Sequence, residues 1–195
     1  MTKGDNTREA ILEAAFDLAR RDGLEAITIG GLAAAVEMSK SGLFAHFASK
    51  ANLQRTILEH ARDVFVARVM RPAFLQLRGE PRLQALFDNW LAWARSSHSQ
   101  GGCIFLAAAA ELDDTQGPVR DYLVETQQEW LSSLARTVRI GIDEGHFRKD
   151  VDEDLAAYQF YANMMAFHFY ARLMRDARAE QRARDTFETL LESWR

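Results

Sequence analysis

Thr28-Ile29-Gly30-Gly31-Leu32-Ala33-Ala34-Ala35-Val36-Glu37-Met38-Ser39-Lys40-Ser41-Gly42-Leu43-Phe44-Ala45-His46-Phe47 is the stretch on which the reading of this chain turns. It holds two short segments of helical periodicity, each opened by a hydroxyl residue suited to capping, Thr28 and Ser39. Leu32, Ala33 and Val36 form the inner face of the first segment, and Leu43 and Phe47 that of the second. Glu37-Met38-Ser39 is the break between them. Gly30, Gly31, Ala33, Ala34 and Ala35 are small enough to let the pair pack closely. Lys40, Ser41, Gly42 and His46 are left facing outward. A rigid helix pair of this kind lets its second member enter the DNA major groove, which is wide enough for one α-helix.

The flanks support the same reading. Upstream, a helix is expected from Asn6, with Asn6 as cap and Glu9 three residues on in capping-box spacing. Leu12, Ala15, Phe16 and Ala19 share its inner face, and Gly23 is its stop. Downstream, Ser49 caps a long fourth helix with Leu53, Ile57, Ala61 and Val64 on one side, which Pro72 ends at or soon after its own position. Free N–H groups and the helix dipole make helix N-termini good phosphate sites. Thr28 and Ser39 cap two such ends, and Lys50 opens the fourth helix at a third. Residues 26–55 carry Lys40, Lys50 and Arg55 against Glu37, a local +2 in a chain whose formal net charge is −4. Bulk charge thus excludes a protein that coats nucleic acid, while leaving room for a local binding surface. Arg55 itself reads as a solvated charge.

The whole chain has 195 residues, 48% of them hydrophobic and only three of them proline. An all-α fold follows, since no strand alternation, repeat or long linker interrupts the helical periodicity. Beyond Arg78-Gly79-Glu80-Pro81, helices are expected at about 82–97, 103–112, 118–143, 152–175 and 179–194. We divide the chain into a helix-turn-helix domain, 1–50, and a larger helical domain, 51–195. No apolar run approaches the ~20 residues of a membrane span, and Met1–Asn6 lacks the apolar core of a secretory signal. A cytoplasmic protein is expected. The single Cys103 cannot form an internal disulfide, which fits a reducing compartment. There is no metal-ligand spacing, phosphate loop or nucleophile elbow, so neither an enzyme nor a cofactor is expected.

The larger domain is dense in aromatic and apolar residues. Phe87, Trp90, Trp93, Phe105, Trp130 and Met164, with Gln127 and His168 as polar members, are candidates for lining a ligand cavity, and each could equally fill a core. His98 and Asn163 are further polar candidates. Cys103 could be a sensor thiol at a helix start or a packed small residue. Residues 154–170 are apolar almost all the way round and must be covered on two sides. Tyr158, Tyr161, Met165 and Phe169 there, with Phe187, Leu190, Leu191 and Trp194 on the last helix, are expected to build a four-helix dimer interface.

Thr7-Arg8-Glu9-Ala10-Ile11-Leu12 through Gly23, then Thr28–Ala33, then Met38–Leu53, resembles the N-terminal domain of TetR-type (TetR/AcrR-like) repressors. The resemblance implies a nine-helix homodimer whose second and third helices read double-stranded DNA. It implies phosphate contacts from Thr28, Phe44, His46 and Lys50, and base contacts from Lys40, Ser41, Gly42 and Ala45, with Ser39 capping the reading helix. It further implies a cavity for a small hydrophobic or aromatic effector, release of a palindromic operator when that effector binds, and relay through the short helix after Gly101-Gly102. Two residues depart from the family pattern. Phe44 stands where a tyrosine is usual, and Glu37 where the turn usually has glycine, so Glu37 must take a left-handed backbone or the turn must differ. A helical protein–protein adaptor that kept the fold but lost specific DNA binding is the competing reading.

Overall fold

The computed structural model describes residues 3–95 and 101–195, and every regular element among them is helical. In chain order these are α1 (Lys3–Asp22), α2 (Ile29–Ala35), α3 (Lys40–Phe47), α4 (Lys50–Phe65), α5 (Arg71–Phe74), α6 (Glu80–Arg95), α7 (Ile104–Leu112), α8 (Pro118–Asp143), α9 (Glu153–Arg172) and α10 (Ala179–Trp194). A π turn, Val66–Met70, joins α4 to α5 without a break. With that run counted as one rod, the described residues form nine helices, as expected.

The punctuation works locally. Gly23 (φ 97°) closes α1 and Gly145 (φ 77°) follows the end of α8, both in the left-handed region that favours glycine. Pro118 opens α8 and Asp152 caps α9, its carboxylate accepting from the N–H groups of Asp154 and Leu155. Several boundaries differ from expectation: α6 runs Glu80–Arg95 against about 82–97, α9 ends at Arg172 against about 175, and two others have a clear local cause. α1 begins at Lys3, so Asn6 lies inside the helix instead of capping it, because nothing in Lys3-Gly4-Asp5 stops the helix from gaining a turn. The α4–α5 rod also runs past Pro72. The Arg71 N–H reaches back to the Val66 carbonyl across the widened turn, and Pro72 falls at the start of α5, where a missing N–H costs little.

Contacts group the chain into two compact units: Met1–Val64 with Ser96–Thr126, and Phe65–Arg95 with Gln127–Arg195. In the first, α1–α4 close over Phe16, Leu32, Leu43, Phe47 and Ile57, all buried. α7 belongs to this unit and is fixed to α1 at its start. The buried Arg20 guanidinium donates from Nε to the Gly102 carbonyl (3.1 Å) and from Nη2 to that of Gly101 (3.4 Å). Gly101 presses so closely on the end of α1 that a Cβ there would fall on the Arg20 carbonyl.

The second unit is built on aromatic packing. Phe87 of α6 stacks on Phe187 of α10 at 4.2 Å between ring centroids, and Phe160 of α9 meets both rings edge-on. Phe65 bridges Trp93 and Trp130 in the same edge-on manner. Asn163, buried in α9, donates to the Ala183 carbonyl of α10 at 2.8 Å. Among the described residues, no helix is long and apolar enough to cross a membrane.

Candidate nucleic-acid interface

Three helix N-termini are capped by hydroxyl residues in the first unit. Thr28 is extended (φ −127°, ψ 152°), and its Oγ1 accepts the Gly31 N–H at 3.0 Å. Ser39 is likewise extended (φ −71°, ψ 146°), its Oγ accepting the Gly42 N–H at 3.1 Å. Ser49 Oγ accepts the Asn52 N–H at 3.1 Å, and the Asn52 amide donates to the Phe47 carbonyl at 2.9 Å, locking the α3–α4 corner. Each cap replaces one of the bonds a helix start lacks.

The turn between α2 and α3 is a Schellman closure. Met38 N–H bonds to the Ala33 carbonyl (2.9 Å) and Glu37 N–H to that of Ala34 (3.4 Å), with Glu37 left-handed at φ 54°. Of the two ways the turn could accommodate Glu37, the backbone takes the left-handed one. Replacing Glu37 by glycine removes about 1–2 kcal/mol of αL strain against roughly 0.4–1 kcal/mol of added chain entropy. Glu37→Gly is therefore expected to raise the melting midpoint by about 1–4 °C. A fall in midpoint on thermal denaturation would contradict this.

α3 has one face sealed and one open. Leu43 and Phe47 are fully buried, while Lys40, Ser41, Phe44, Ala45 and His46 are exposed and Gly42 is half-buried. Phe44 leaves 55% of its surface in solvent, high for an aromatic residue in a small helical unit. The Lys40 stem crosses α2 over Gly30, where a Cβ would collide with it. Lys50 is exposed but engaged. Its Nζ donates to the Glu25 carbonyl at 2.7 Å and to the Glu25 carboxylate at 3.1 Å. That ammonium bond, helped by Gln54, holds the Glu25 carboxyl below its ordinary range against the opposing effect of partial burial. Arg55 pairs with Glu59 at 3.0 Å and lies over the Tyr122 ring. Thus Thr28, Ser39, Lys40, Ser41, Gly42, Phe44, Ala45, His46 and Lys50 all sit on α2, α3, their caps or the start of α4.

The residues expected to line a cavity divide between the units. Phe87, Trp90, Trp93, Gln127, Trp130, Met164 and His168 fall in the second unit, and Phe105 in the first. Phe87, Trp90, Trp93, Trp130 and Met164 are buried, and Gln127 accepts the Tyr161 hydroxyl at 2.7 Å. His168 Nε2 is buried without a hydrogen-bond partner, and burial, with Arg172 nearby, lowers the imidazole pKa. Asn163 is committed to α10, and His98 lies outside the described residues. Cys103 is buried at the start of α7, 3% exposed, as a packed residue would be.

The expected dimer residues also separate. Tyr158, Met165 and Phe169 are 69%, 52% and 48% exposed, and Tyr161 and Leu190 are half-buried. Phe187, Leu191 and Trp194 instead point into their own protomer, at no more than 5% exposure. α10 has a single apolar stripe, and Phe87, Phe160 and Phe147 already cover it. Sequence reading missed Arg20, Glu25, Gln54 and Glu111, whose partners are remote in the chain. The one local hint was Arg20, a charge one turn beyond Phe16 on the buried face of α1.

Residues 11–55 match the family model described as bacterial regulatory proteins, tetR family, and residues 79–187 match the tetracyclin repressor-like C-terminal domain. The chain is 29% identical over 203 aligned positions to the HTH-type transcriptional regulator TcmR of Streptomyces glaucescens, covering 97% of this chain and 83% of that one. A TetR transcriptional regulator from Chloroflexus aurantiacus superposes with a TM-score of 0.86 at 26% identity, covering 98% of this chain and 96% of its own. The structure of AibR in complex with isovaleryl coenzyme A and operator DNA is similar at a TM-score of 0.75 and 25% identity, over 94% of this chain and 97% of that one.

Proposed function

The chain belongs to the TetR family of bacterial regulatory proteins, and we propose that it is a homodimeric, ligand-responsive repressor that leaves a palindromic operator when a small apolar or aromatic molecule binds. The observation that carries this reading is α3: one face buried on Leu43 and Phe47, the other open with Lys40, Ser41, Ala45 and His46, beside three capped helix N-termini. Lys40, Ser41, Gly42 and Ala45 face base edges in the major groove; Thr28, Ser39, Phe44, His46 and Lys50 serve the phosphates. Phe44 brings apolar contact but no hydroxyl. The division assigned to these roles is DNA binding in 1–50, and ligand binding and dimerisation in 51–195.

A second copy covers the exposed apolar stripe of α9. Tyr158, Tyr161, Met165 and Phe169 recur at i, i+3, i+7 and i+11, and Leu190 extends the patch. The inward Phe187, Leu191 and Trp194 stiffen it from behind. A two-fold pair sets two reading helices about 34–36 Å apart, or a multiple of that, on successive half-sites. Met165→Asp buries a charge at the centre of this face, so sedimentation is expected to find monomers, with operator affinity lost alongside. A dimer of unchanged stability would contradict the assigned face.

The effector site is assigned to the second unit, where apolar aromatic walls with few polar groups suit an apolar or aromatic ligand. Phe87, Trp90, Trp93, Trp130 and Met164 supply the walls, with Gln127 and His168 as polar contacts; Phe105, on α7, belongs to the first unit and is left out of this site. The structure of AibR, a similar regulator, holds both isovaleryl coenzyme A and operator DNA, which supports a small-molecule site beside a DNA site in such a fold. The ligand shifts the dimer between two states only by its difference in affinity for them. The test is a footprint on DNA flanking the gene, repeated with a panel of apolar and aromatic small molecules. Protection of a palindrome, relieved by one of them, is the expected result. Absence of any sequence-specific footprint favours the adaptor reading.

A further inference from the structure

The α1–α2 loop is tied to α7 on one side and to α4 on the other. The Glu25 N–H donates to Glu111 Oε2 of α7 at 2.7 Å. The other Glu111 oxygen occupies the space a Cβ on Gly23 would need, and Gly23 is itself left-handed at φ 97°. The loop backbone therefore wraps the Glu111 carboxylate as only glycine at 23 permits. On the α4 side, the Gln54 amide donates to the Leu24 carbonyl (3.1 Å) and to Glu25 Oε1 (2.9 Å). Lys50 Nζ donates to the Glu25 carbonyl (2.7 Å) and Oε2 (3.1 Å).

We propose that Glu25 is a positioning residue that withholds the Lys50 ammonium from the DNA phosphate, and that Glu111 sets its grip according to where α7 lies. An ammonium has three donors, and Glu25 takes two of them. The carboxylate also cancels the charge that a phosphate would otherwise meet, so Lys50 approaches DNA as half of an ion pair. A displacement of α7 carries Glu111, and with it the Glu25 backbone, whose carbonyl takes one Lys50 bond and whose side-chain carboxylate takes the other. The position of α7 is thus translated into cation strength at the start of α4, with no movement of α3 required. This inference rests on the operator-binding reading above and names the part through which α7 acts on it.

The test uses the full chain and a DNA duplex that the wild-type protein selects from a random pool, with affinity measured across a salt series. Glu25→Gln keeps the side-chain acceptor and removes the charge. It is expected to bind roughly three- to tenfold more tightly, and to steepen the log–log salt slope by up to about 0.9 per protomer. Glu25→Asp, which keeps the charge, is expected to stay near wild type. In a Lys50→Met background the gain from Glu25→Gln is expected to vanish, and Glu111→Ala to give a smaller gain that also needs Lys50. Thermal midpoints show that each variant is folded. Equal slopes for wild type and Glu25→Gln, or a gain that persists without Lys50, would overturn the proposal. Failure of the wild type to select any duplex would overturn the operator reading, and this inference with it.

Discussion

Gly101→Ala is expected to destabilise the protein by about 3–5 kcal/mol, lowering the thermal midpoint by roughly 10 °C. The Cβ has no free space, since it falls on the Arg20 carbonyl at the end of α1. A flexible side chain could move aside, but a helical backbone cannot, so the Gly101-Gly102 segment must shift. Overpacking of this kind costs about 1–3 kcal/mol on its own. The shift also strips the buried Arg20 guanidinium of the Gly101 and Gly102 carbonyls. Hydrogen bonds to a charged group are worth roughly 1.5–3 kcal/mol, and the loss is greater when the charge is left buried. The check is denaturant unfolding of the variant with operator affinity measured in parallel. We expect both to weaken, because α7 is then loosened from α1 within the unit that also holds α3. An unchanged midpoint would mean that the start of α7 does not rest on α1.

Phe87→Ala is expected to cost about 3–5 kcal/mol, the range for truncating a fully buried aromatic residue. Phe87 touches two other rings at once, stacked on Phe187 and edge-on to Phe160, and so joins α6, α9 and α10. Each such pair adds roughly 0.5–1.5 kcal/mol beyond simple burial. Phe87→Leu refills much of the volume without the ring geometry and is expected to lose less. Urea unfolding of both variants checks the ordering. A loss below about 1 kcal/mol for the alanine variant would show that the ring cluster is not the centre of this unit. Because α9 also carries the proposed dimer face, the alanine variant is expected to dissociate at higher protein concentrations than wild type.

What the sequence disclosed was what neighbouring residues decide among themselves. Thr28, Ser39 and Ser49 cap helices whose first turns lie within three residues of them, and Gly23, Gly145 and Pro118 act through their own backbone angles. The helix pair at 28–47, its inward Leu43 and Phe47, and its outward Lys40 and Ser41 were legible for that reason. So was the conflict at Glu37, whose left-handed backbone follows from the turn and not from any distant contact. α10 shows where such reasoning stops. The spacing of Phe187, Leu191 and Trp194 announces a buried face, but periodicity cannot distinguish a second protomer from Phe87 and Phe147 of the same one. The ties of Arg20 to Gly101, Glu111 to Glu25 and Glu25 to Lys50 were likewise silent. Each joins residues that only the fold brings together, and a glutamate near a helix end looks the same whether it is solvated or holds a loop.

Every role assigned above depends on sequence-specific DNA binding through α3. It can be measured by a fluorescence anisotropy titration of the purified protein against a duplex it has selected and a scrambled duplex of equal length, over a series of salt concentrations. Two protomers per selected duplex are expected, with at least about 10³-fold preference over the scrambled one, and affinity that falls steeply with salt as several phosphate contacts release their counterions. Equal affinity for the two duplexes, or binding indifferent to salt, would contradict it.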